Sequence, residues 1–162
     1  MGVALKFGDD INTDYIIASS RKRDTVDPPK LARYLMEDIR PGFGLQVKKG
    51  DFLVAGRNFG CGSAMEIAPL VVMAAGIRAV IAKSYARSFY RNAINLGLLV
   101  LEADTDSIDE GDLLEIDHSG FIHDVTKGER IQARPFPPLI KDILDAGGII
   151  PYFEGKYPVP SL

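Results

Sequence analysis

The chain has 162 residues with a single cysteine, is 46% hydrophobic and 25% charged, and carries a formal net charge of −3. This length suits one domain spanning residues 1–162, and the slight negative charge argues against a broad nucleic-acid-binding surface. No apolar run is long enough to cross a membrane, and the N-terminus lacks the features of a secretory signal. We therefore expect a cytoplasmic globular protein whose lone Cys61 forms no internal disulfide and packs as a small side chain.

The N-terminal part of the chain predicts one strand, two loops and a short helix. Val3 to Phe7 alternates in hydrophobicity and predicts a strand, which a polar loop at residues 8–14 follows. The charged, proline-bounded segment 19–29 has no periodicity and predicts a mobile loop. Apolar side chains at helical spacing in residues 30–37 predict a short amphipathic helix.

The central part of the chain alternates between short apolar runs and helical patterns. Strands are predicted at residues 52–55, 79–82 and 98–101, and helices at 64–75 and 84–96. This order predicts parallel pairing with right-handed crossovers.

The C-terminal part of the chain no longer alternates between predicted strands and predicted helices. Strands at residues 113–116 and 121–123 flank a turn, and 130–133 adds a further candidate strand, which together predict an antiparallel elaboration. A last helix is predicted at 139–146, and residues 151–162 are expected to form a loose tail. The fold class is therefore α/β, with a mostly parallel core sheet and a C-terminal antiparallel elaboration.

The most informative segment is a glycine turn between the strand at 52–55 and the helix that follows. Gly60 and Gly62 allow a sharp bend and a close approach by a ligand. Ser63 is then predicted at the N-terminus of the helix, where free N–H groups favour an anion such as a serine alkoxide. Ser63 and Glu66 also match the capping box, which would explain both residues without any chemistry.

Three separated segments resemble the aconitase-type hydro-lyases, and more narrowly the small subunits of 3-isopropylmalate dehydratase and of archaeal homoaconitase. They are the opening motif F-G-D-D-I-N-T-D-Y-I-I at residues 7–17, the glycine turn N-F-G-C-G-S at 58–63, and K-S-Y-A-R-S-F-Y-R-N-A-I-N-L-G at 83–97. The resemblance implies a three-layer β/β/α swivelling domain like the aconitase C-terminal domain.

The resemblance also implies a reaction, a base and a partner. The family isomerises 2-hydroxy di- or tricarboxylates by removing water and adding it back, with a serine alkoxide as the base that takes the carbon-bound proton. That serine corresponds to Ser63. A [4Fe-4S] cluster is expected in a separate large subunit, since this chain has too few cysteines to hold one and no metal site of its own. 3-Isopropylmalate in leucine biosynthesis is the leading substrate, with homoaconitate, citramalate-like acids and 2,3-dimethylmalate as alternatives.

The chain departs from the family pattern inside the turn. Met65 stands where the family has an arginine that grips a substrate carboxylate, and methionine cannot form such a bidentate contact. Either Met65 presents an apolar contact to the substrate, or another cation takes over. The basic loop with Arg21 and Arg23 could clamp a dianionic acid as a lid. The same loop could equally be a solvated surface.

Further residues are assigned more modest roles. Asn58 and Gly62 are candidates for substrate binding, and Asp14, Glu66 and Arg91 for support, with turn stabilisation and helix-to-loop bonding as the alternatives. An isolated chain could form a homo-oligomer. A rival interpretation from another class is a non-catalytic module that binds an anion at Ser63 and regulates or scaffolds a partner.

Overall fold

The computed structural model describes residues 1–156, which contain seven strands and seven α-helices. The strands are β1 Gly2–Lys6, β2 Phe52–Ala55, β3 Ala79–Ala82, β4 Leu99–Glu102, β5 Leu113–Ile116, β6 Phe121–Asp124 and β7 Glu129–Gln132. The helices are α1 Thr13–Ile16, α2 Pro28–Leu31, α3 Phe43–Gln46, α4 Ile67–Ala74, α5 Arg87–Leu96, α6 Pro138–Ala146 and α7 Ile149–Lys156. Two 3₁₀ turns are formed by Arg21–Arg23 and Ala32–Tyr34.

All seven strands join in the order β4-β3-β2-β1-β5-β6-β7. The strands β1 to β4 pair in parallel, the strands β5 to β7 pair antiparallel, and β1 connects the two halves. Both β2 and β3 are buried along their whole length, as expected for apolar strands of a parallel sheet that is covered on both faces. The predicted combination of a parallel core with an antiparallel elaboration is confirmed.

The covering of the parallel strands produces three layers. Because side chains alternate along a strand, Leu53 and Ala55 of β2 belong to the core shared with the helices, while Phe52 and Val54 face the other way. That second core also contains Leu114 and Ile122 of the antiparallel strands together with Ile108, Ala133 and Ile81. The antiparallel half therefore folds across the face opposite the helices, which is the expected β/β/α arrangement.

The helix after the glycine turn begins later than predicted. Its predicted start was Ala64, but α4 begins at Ile67, with Glu66 as the N-cap residue and no side-chain capping hydrogen bond. The later start places Pro69 in the first turn, where proline removes no intrahelical hydrogen bond. The predicted capping box between Ser63 and Glu66 is therefore wrong.

The segment between β1 and β2 is more structured than its sequence predicts. The predicted loop at 19–29 contains the 3₁₀ turn Arg21–Arg23, and Pro28 begins α2 at a position that suits proline. The predicted helix at 30–37 is instead the end of α2 followed by the 3₁₀ turn Ala32–Tyr34. Buried Leu31, Leu35 and Met36 hold these short pieces against the helical face of the sheet.

The C-terminal prediction is partly wrong. The tail expected from residue 151 begins inside α7, because Tyr152 packs against the main core and Pro151 occupies the first helical turn. The rest of the predicted tail, residues 157–162, lies outside the described residues. The prediction that helices end at Gly97 and Gly147 is confirmed, since both glycines are left-handed C-cap residues with φ of 85° and 90°.

Candidate active site

The loops that follow β1, β2 and β3 meet at the carboxyl edge of the parallel sheet. The Gly60 N–H donates to the Ile11 carbonyl at 2.8 Å, and the Phe59 N–H donates to the Ser84 carbonyl at 3.0 Å. The buried Phe59 ring packs edge-on against Phe89 at a centroid distance of 5.1 Å. This edge is where open α/β sheets bind ligands, and the glycine turn lies in its middle.

Both glycines of the turn are required by its geometry. Gly60 and Gly62 adopt φ of 80° and 93°, a region that residues with a Cβ rarely enter. A Cβ on Gly60 would lie 2.3 Å from the Phe89 side chain, and one on Gly62 would lie 2.5 Å from the Asn12 amide oxygen. The two positions therefore combine a left-handed backbone with direct contact to a neighbouring element.

Ser63 is fixed by its backbone and exposed at its side chain. The buried Thr13 hydroxyl donates to the Ser63 carbonyl at 3.0 Å, whereas the Ser63 hydroxyl has no hydrogen-bond partner within residues 1–156. The serine does not lie at a helix N-terminus as predicted, because α4 starts four residues later at Ile67. The helix dipole is consequently not the feature that would stabilise an anion on this oxygen.

Free backbone donors in the turn can take that role. The N–H groups of Gly62, Ser63 and Ala64 donate to no acceptor in the described part of the chain. Consecutive free N–H groups beside a left-handed glycine form a concave donor site for anions, and donors already in place can stabilise negative charge as it develops. The turn therefore offers both an exposed hydroxyl and the means to hold an oxyanion.

The basic loop lies against this turn. Its Lys22 ammonium contacts the Met65 sulfur. Arg21 does not point freely to solvent, because it forms a bidentate ion pair with Glu37 at 2.6 and 2.9 Å and stacks on the Tyr34 ring at 4.0 Å. The hydrogen bond with Glu37 raises the pKa of Arg21.

The Arg21 guanidinium is thus already neutralised, whereas Arg23 is exposed and pairs with no acid among the residues that the structure describes. Substrate contact by either residue stays a prediction.

The other predicted residues are distributed around the edge. Asn58 has φ of 58°, and its amide donates to Asp10 at 2.8 Å, which ties two loops together. Asp14 accepts a hydrogen bond of 2.7 Å from Ser19, at the start of the basic loop. Arg91 lies on α5 and lines a cavity of about 490 Å³ with Arg87 and other residues. Neither Ser63 nor Met65 lines that cavity, and Arg91 shares no hydrogen bond or ion pair with the turn among the described residues, so its supporting role stays a prediction.

The residues of this chain do not fit an iron–sulfur cluster. Cys61 is the one cysteine in the sequence, and burial raises the pKa of its thiol, which favours the protonated form. Within residues 1–156 no group of three or more histidine, cysteine, aspartate and glutamate side chains could hold a metal ion. In the same range, no helix is long and apolar enough to cross a membrane.

Two residues that contact the glycine turn, Lys22 and Thr13, are not predicted by the sequence analysis. The sequence singles out Arg21 and Arg23 in the basic loop, although Lys22 is the residue of that loop that contacts the turn. Thr13 lies in the opening motif, and the sequence analysis does not predict its bond to the Ser63 carbonyl. Its position in the sequence N-T-D, which ends a polar loop after a strand, is the signal that could have identified it.

Comparisons with known proteins agree with this architecture. The Aconitase C-terminal domain family matches residues 33–106. A 3-isopropylmalate dehydratase small subunit of Archaeoglobus fulgidus is 54% identical over 154 residues, covering 94% of this chain and 95% of that protein. The corresponding subunit of Caldanaerobacter subterraneus is 51% identical over 158 residues, covering 96% of this chain and 98% of that protein.

A solved structure agrees at the level of the fold. The crystal structure of 3-isopropylmalate dehydratase from Methanocaldococcus jannaschii superimposes with a TM-score of 0.92 at 47% identity, covering 96% of this chain and 93% of that one. Identity of this extent over nearly the whole length, together with the matching three-layer fold, leads to one conclusion. The chain belongs to the family of 3-isopropylmalate dehydratase small subunits, built on the aconitase C-terminal domain.

Proposed function

We propose that this chain is the small subunit of a two-subunit hydro-lyase that isomerises 3-isopropylmalate by dehydration and rehydration. The observation that carries the proposal is the exposed, unpartnered Ser63 hydroxyl on a glycine turn with free N–H groups, in a chain whose relatives bear the name of that enzyme over nearly their full length. The turn lies at the sheet edge where a second subunit can cover it.

Ser63 acts in this proposal as the general base. Its alkoxide takes the carbon-bound proton of the substrate, the C–H electron pair forms the double bond, and the hydroxyl on the neighbouring carbon leaves as water after gaining a proton from an acid of the assembled complex. In rehydration, water gives that proton back to the same acid and its oxygen adds to the carbon that lost its proton, while the Ser63 hydroxyl gives its proton to the carbon that lost the hydroxyl, which regenerates the alkoxide. The free donors at Gly62 and Ala64 lower the free energy of the alkoxide, and the bond from Thr13 to the Ser63 carbonyl keeps the oxygen in place.

A large subunit carries the iron–sulfur cluster in this proposal. The support is the donor set of this chain, which lacks the thiolates that such a cluster needs. When bound, the cluster supplies a Lewis acid for the substrate hydroxyl. The Ser63 turn and the loop from Arg21 to Arg23, whose Lys22 and Arg23 pair with no carboxylate among the described residues, then form this subunit's share of the site.

The apolar Met65 side chain is compatible with more than one substrate. An apolar side chain beside the base is compatible with the branched side group of 3-isopropylmalate, and also with 2,3-dimethylmalate, citramalate-like acids and homoaconitate. A single apolar contact changes selectivity only by a small factor. The absence of an arginine at this position also favours the second candidate function, a non-catalytic anion-binding module.

The test is to co-purify the chain anaerobically with a cysteine-rich, aconitase-like large subunit and to assay a panel of these hydroxy acids. We expect turnover with 3-isopropylmalate as the best substrate, and no turnover by either subunit alone. Assembly without turnover of any acid in the panel would favour the non-catalytic module. A preference for another acid would revise the substrate and leave the reaction class unchanged.

A further inference from the structure

A cavity of about 490 Å³ lies at the carboxyl end of β4, apart from the Ser63 turn. It is bounded by the start of α5, the last residue of β4 and the segment that joins β7 to α6. Its charged and tyrosine lining residues are Arg87, Arg91, Arg134, Glu102, Tyr85 and Tyr90, and we call it the arginine cavity. Its volume is in the range of pockets that bind small molecules.

The lining of the arginine cavity carries an excess of positive charge. Arg87 and Arg91 are four residues apart on α5 and therefore lie on the same face of that helix. Within residues 1–156 neither forms an ion pair or a side-chain hydrogen bond. Arg134 lies 3.4 Å from Glu102, whose carboxylate is the single one in the described lining. Three guanidinium groups against one carboxylate leave two positive charges uncompensated, which matches the charge of a dianion.

The acidic residues that follow β4 are paired with a different cation. Asp104 and Asp106 both form ion pairs with Lys83, the first at 3.8 Å. The hydrogen bond from Lys83 lowers the pKa of Asp106, which keeps that carboxylate ionised. Neither acid pairs with an arginine of the cavity in the part of the chain that the structure describes. The excess charge of the cavity is therefore not neutralised by its surroundings.

The backbone that presents these arginines is fixed to the body of the protein. The Arg134 N–H donates to the Glu102 carbonyl at 2.8 Å, which joins the segment after β7 to the end of β4. The Tyr85 hydroxyl lies 2.8 Å from the carbonyl oxygens of both Val80 and Leu101, which fixes the segment that leads into α5. Because this frame is already formed, a ligand loses little free energy to ordering of the protein.

Tyr90 adds a further donor to the same lining. Burial raises the pKa of its phenol, and its hydroxyl has no hydrogen-bond partner within residues 1–156. Guanidinium groups bind carboxylates and phosphates through paired N–H donors. We propose that the arginine cavity is a binding site for a small dianion, a phosphate monoester or a dicarboxylate, held by Arg87, Arg91 and Arg134. The cavity would bind this anion whether or not Ser63 is a base.

The first test is isothermal titration calorimetry of the full chain with inorganic phosphate at constant ionic strength. Arg87→Gln and Arg134→Gln each remove one guanidinium, so we expect each to weaken phosphate binding about tenfold to hundredfold. Arg78→Gln is the matched control, because Arg78 is an exposed arginine at the amino end of β3, does not line the cavity and has no ion pair among the described residues. The control should bind phosphate with wild-type affinity.

The second test removes the carboxylate that competes with the ligand. Glu102→Gln takes away the negative charge beside Arg134, so we expect phosphate to bind about two- to fivefold more tightly. Damage to the fold would weaken binding, and a tighter complex therefore reports the charge of the cavity. Thermal unfolding without phosphate should give the wild-type Tm for this variant and for both arginine variants.

Succinate and acetate identify the class of ligand. Competition between succinate and phosphate would assign dianions in general, and binding of phosphate without succinate would assign phosphate monoesters. Acetate, with one charge, should bind at least about tenfold more weakly than phosphate.

The phosphate titration is then repeated on the complex with a large subunit, where the difference between wild type and Arg134→Gln should persist. Its disappearance in the complex would show that the partner covers the arginines and would overturn the ligand site. Acetate binding as tight as that of phosphate, absence of binding by both dianions, or wild-type affinity in both folded arginine variants would overturn it as well.

Discussion

Polar groups at the carboxyl edge of the parallel strands lack strong partners, whereas polar groups of the antiparallel layer are paired with one another. At the edge, the Ser63 hydroxyl, several backbone donors and the Lys22 ammonium lack strong partners in the described structure. In the antiparallel layer, Lys127 lies 2.7 Å from Asp109 and 2.9 Å from Asp112, and His123 bonds Asp117 at 2.8 Å. The comparison separates groups that remain free to bind a ligand from groups that are paired within the fold.

The antiparallel layer contains one informative exception. One oxygen of the buried Asp124 carboxylate has no hydrogen-bond partner among the described residues, although Lys127 lies 4.0 Å away. Burial raises the pKa of Asp124, and the hydrogen bond with Asp112 raises it further. The unpartnered oxygen of Asp124 therefore lies in a paired, buried cluster beside a second carboxyl, and not at the open edge of the sheet.

The largest expected effect belongs to Ser63. If its hydroxyl is the base, Ser63→Ala lowers kcat by on the order of 10²–10⁴-fold, while Tm and assembly stay at wild-type values because the carbonyl, and not the hydroxyl, bonds Thr13. Steady-state kinetics and thermal unfolding measure the two parts. Ser119→Ala, an exposed serine in the turn between β5 and β6, is the control and should change neither. Near-normal kcat in Ser63→Ala would remove Ser63 from the mechanism.

The second-largest effect is a loss of unfolding free energy when Gly60 of the glycine turn is replaced. Gly60→Ala forces a Cβ to 2.3 Å from the Phe89 side chain in a left-handed backbone, which should cost about 3 kcal/mol of unfolding free energy. Gly128→Ala has a similar φ of 70° but open space around the new Cβ, so it should cost only about 1 kcal/mol. Denaturant titration of both variants isolates the packing contribution, and equal losses would contradict it.

A smaller effect is expected from Arg23. As an exposed cation of the basic loop, it should contribute about two- to fivefold to KM when replaced by alanine, and the difference should shrink as ionic strength rises. Arg78→Ala, beside the amino end of β3 and so at the opposite edge of the sheet, should leave KM unchanged. If Arg21→Ala and Arg23→Ala both leave KM and kcat unaltered, the loop is not a lid.

The smallest effect lies in the antiparallel layer and appears only in acid. The bond with His123, aided by backbone N–H groups of Phe121 and Ser119, lowers the pKa of Asp117 to about 2. A lowered folded-state pKa means stability that is present above the ordinary value near 4 and is lost as pH falls towards 2. Asp117→Asn should therefore have a lower Tm than wild type above pH 4, with the difference vanishing near pH 2. A constant difference across this range would show that Asp117 acts through packing.

Much of the fold could be predicted because its central strands are apolar on both faces. The bounds of β2 and β3 were predicted to the residue, since a continuous apolar run bounded by polar residues leaves little choice. The start of α4 was missed because Ser63 and Glu66 imitate a cap that the chain does not form. The short helices between β1 and β2 have too few residues to show a period, and burial of Leu31 and Leu35 organises them.

The candidate site also has one part that the sequence predicts and one part that it does not. Ser63 and its glycines could be identified from the sequence because the turn chemistry is local and contiguous. The contact between Lys22 and Met65 could not, because it joins two segments that lie 43 residues apart in the chain. Local patterns identify the candidate base, whereas its electrostatic surroundings arise only from tertiary contacts.

The late beginning of α4 has a consequence for how this family can diversify. Residues 64 and 65 lie outside any helix, yet immediately after the candidate base Ser63. Exchanging their side chains alters what a bound acid encounters while leaving helical hydrogen bonds and the buried core untouched. If Ser63 is the base, substitutions at these two positions should therefore change the preferred acid with little loss of thermostability, which makes them the first positions to vary in a redesign.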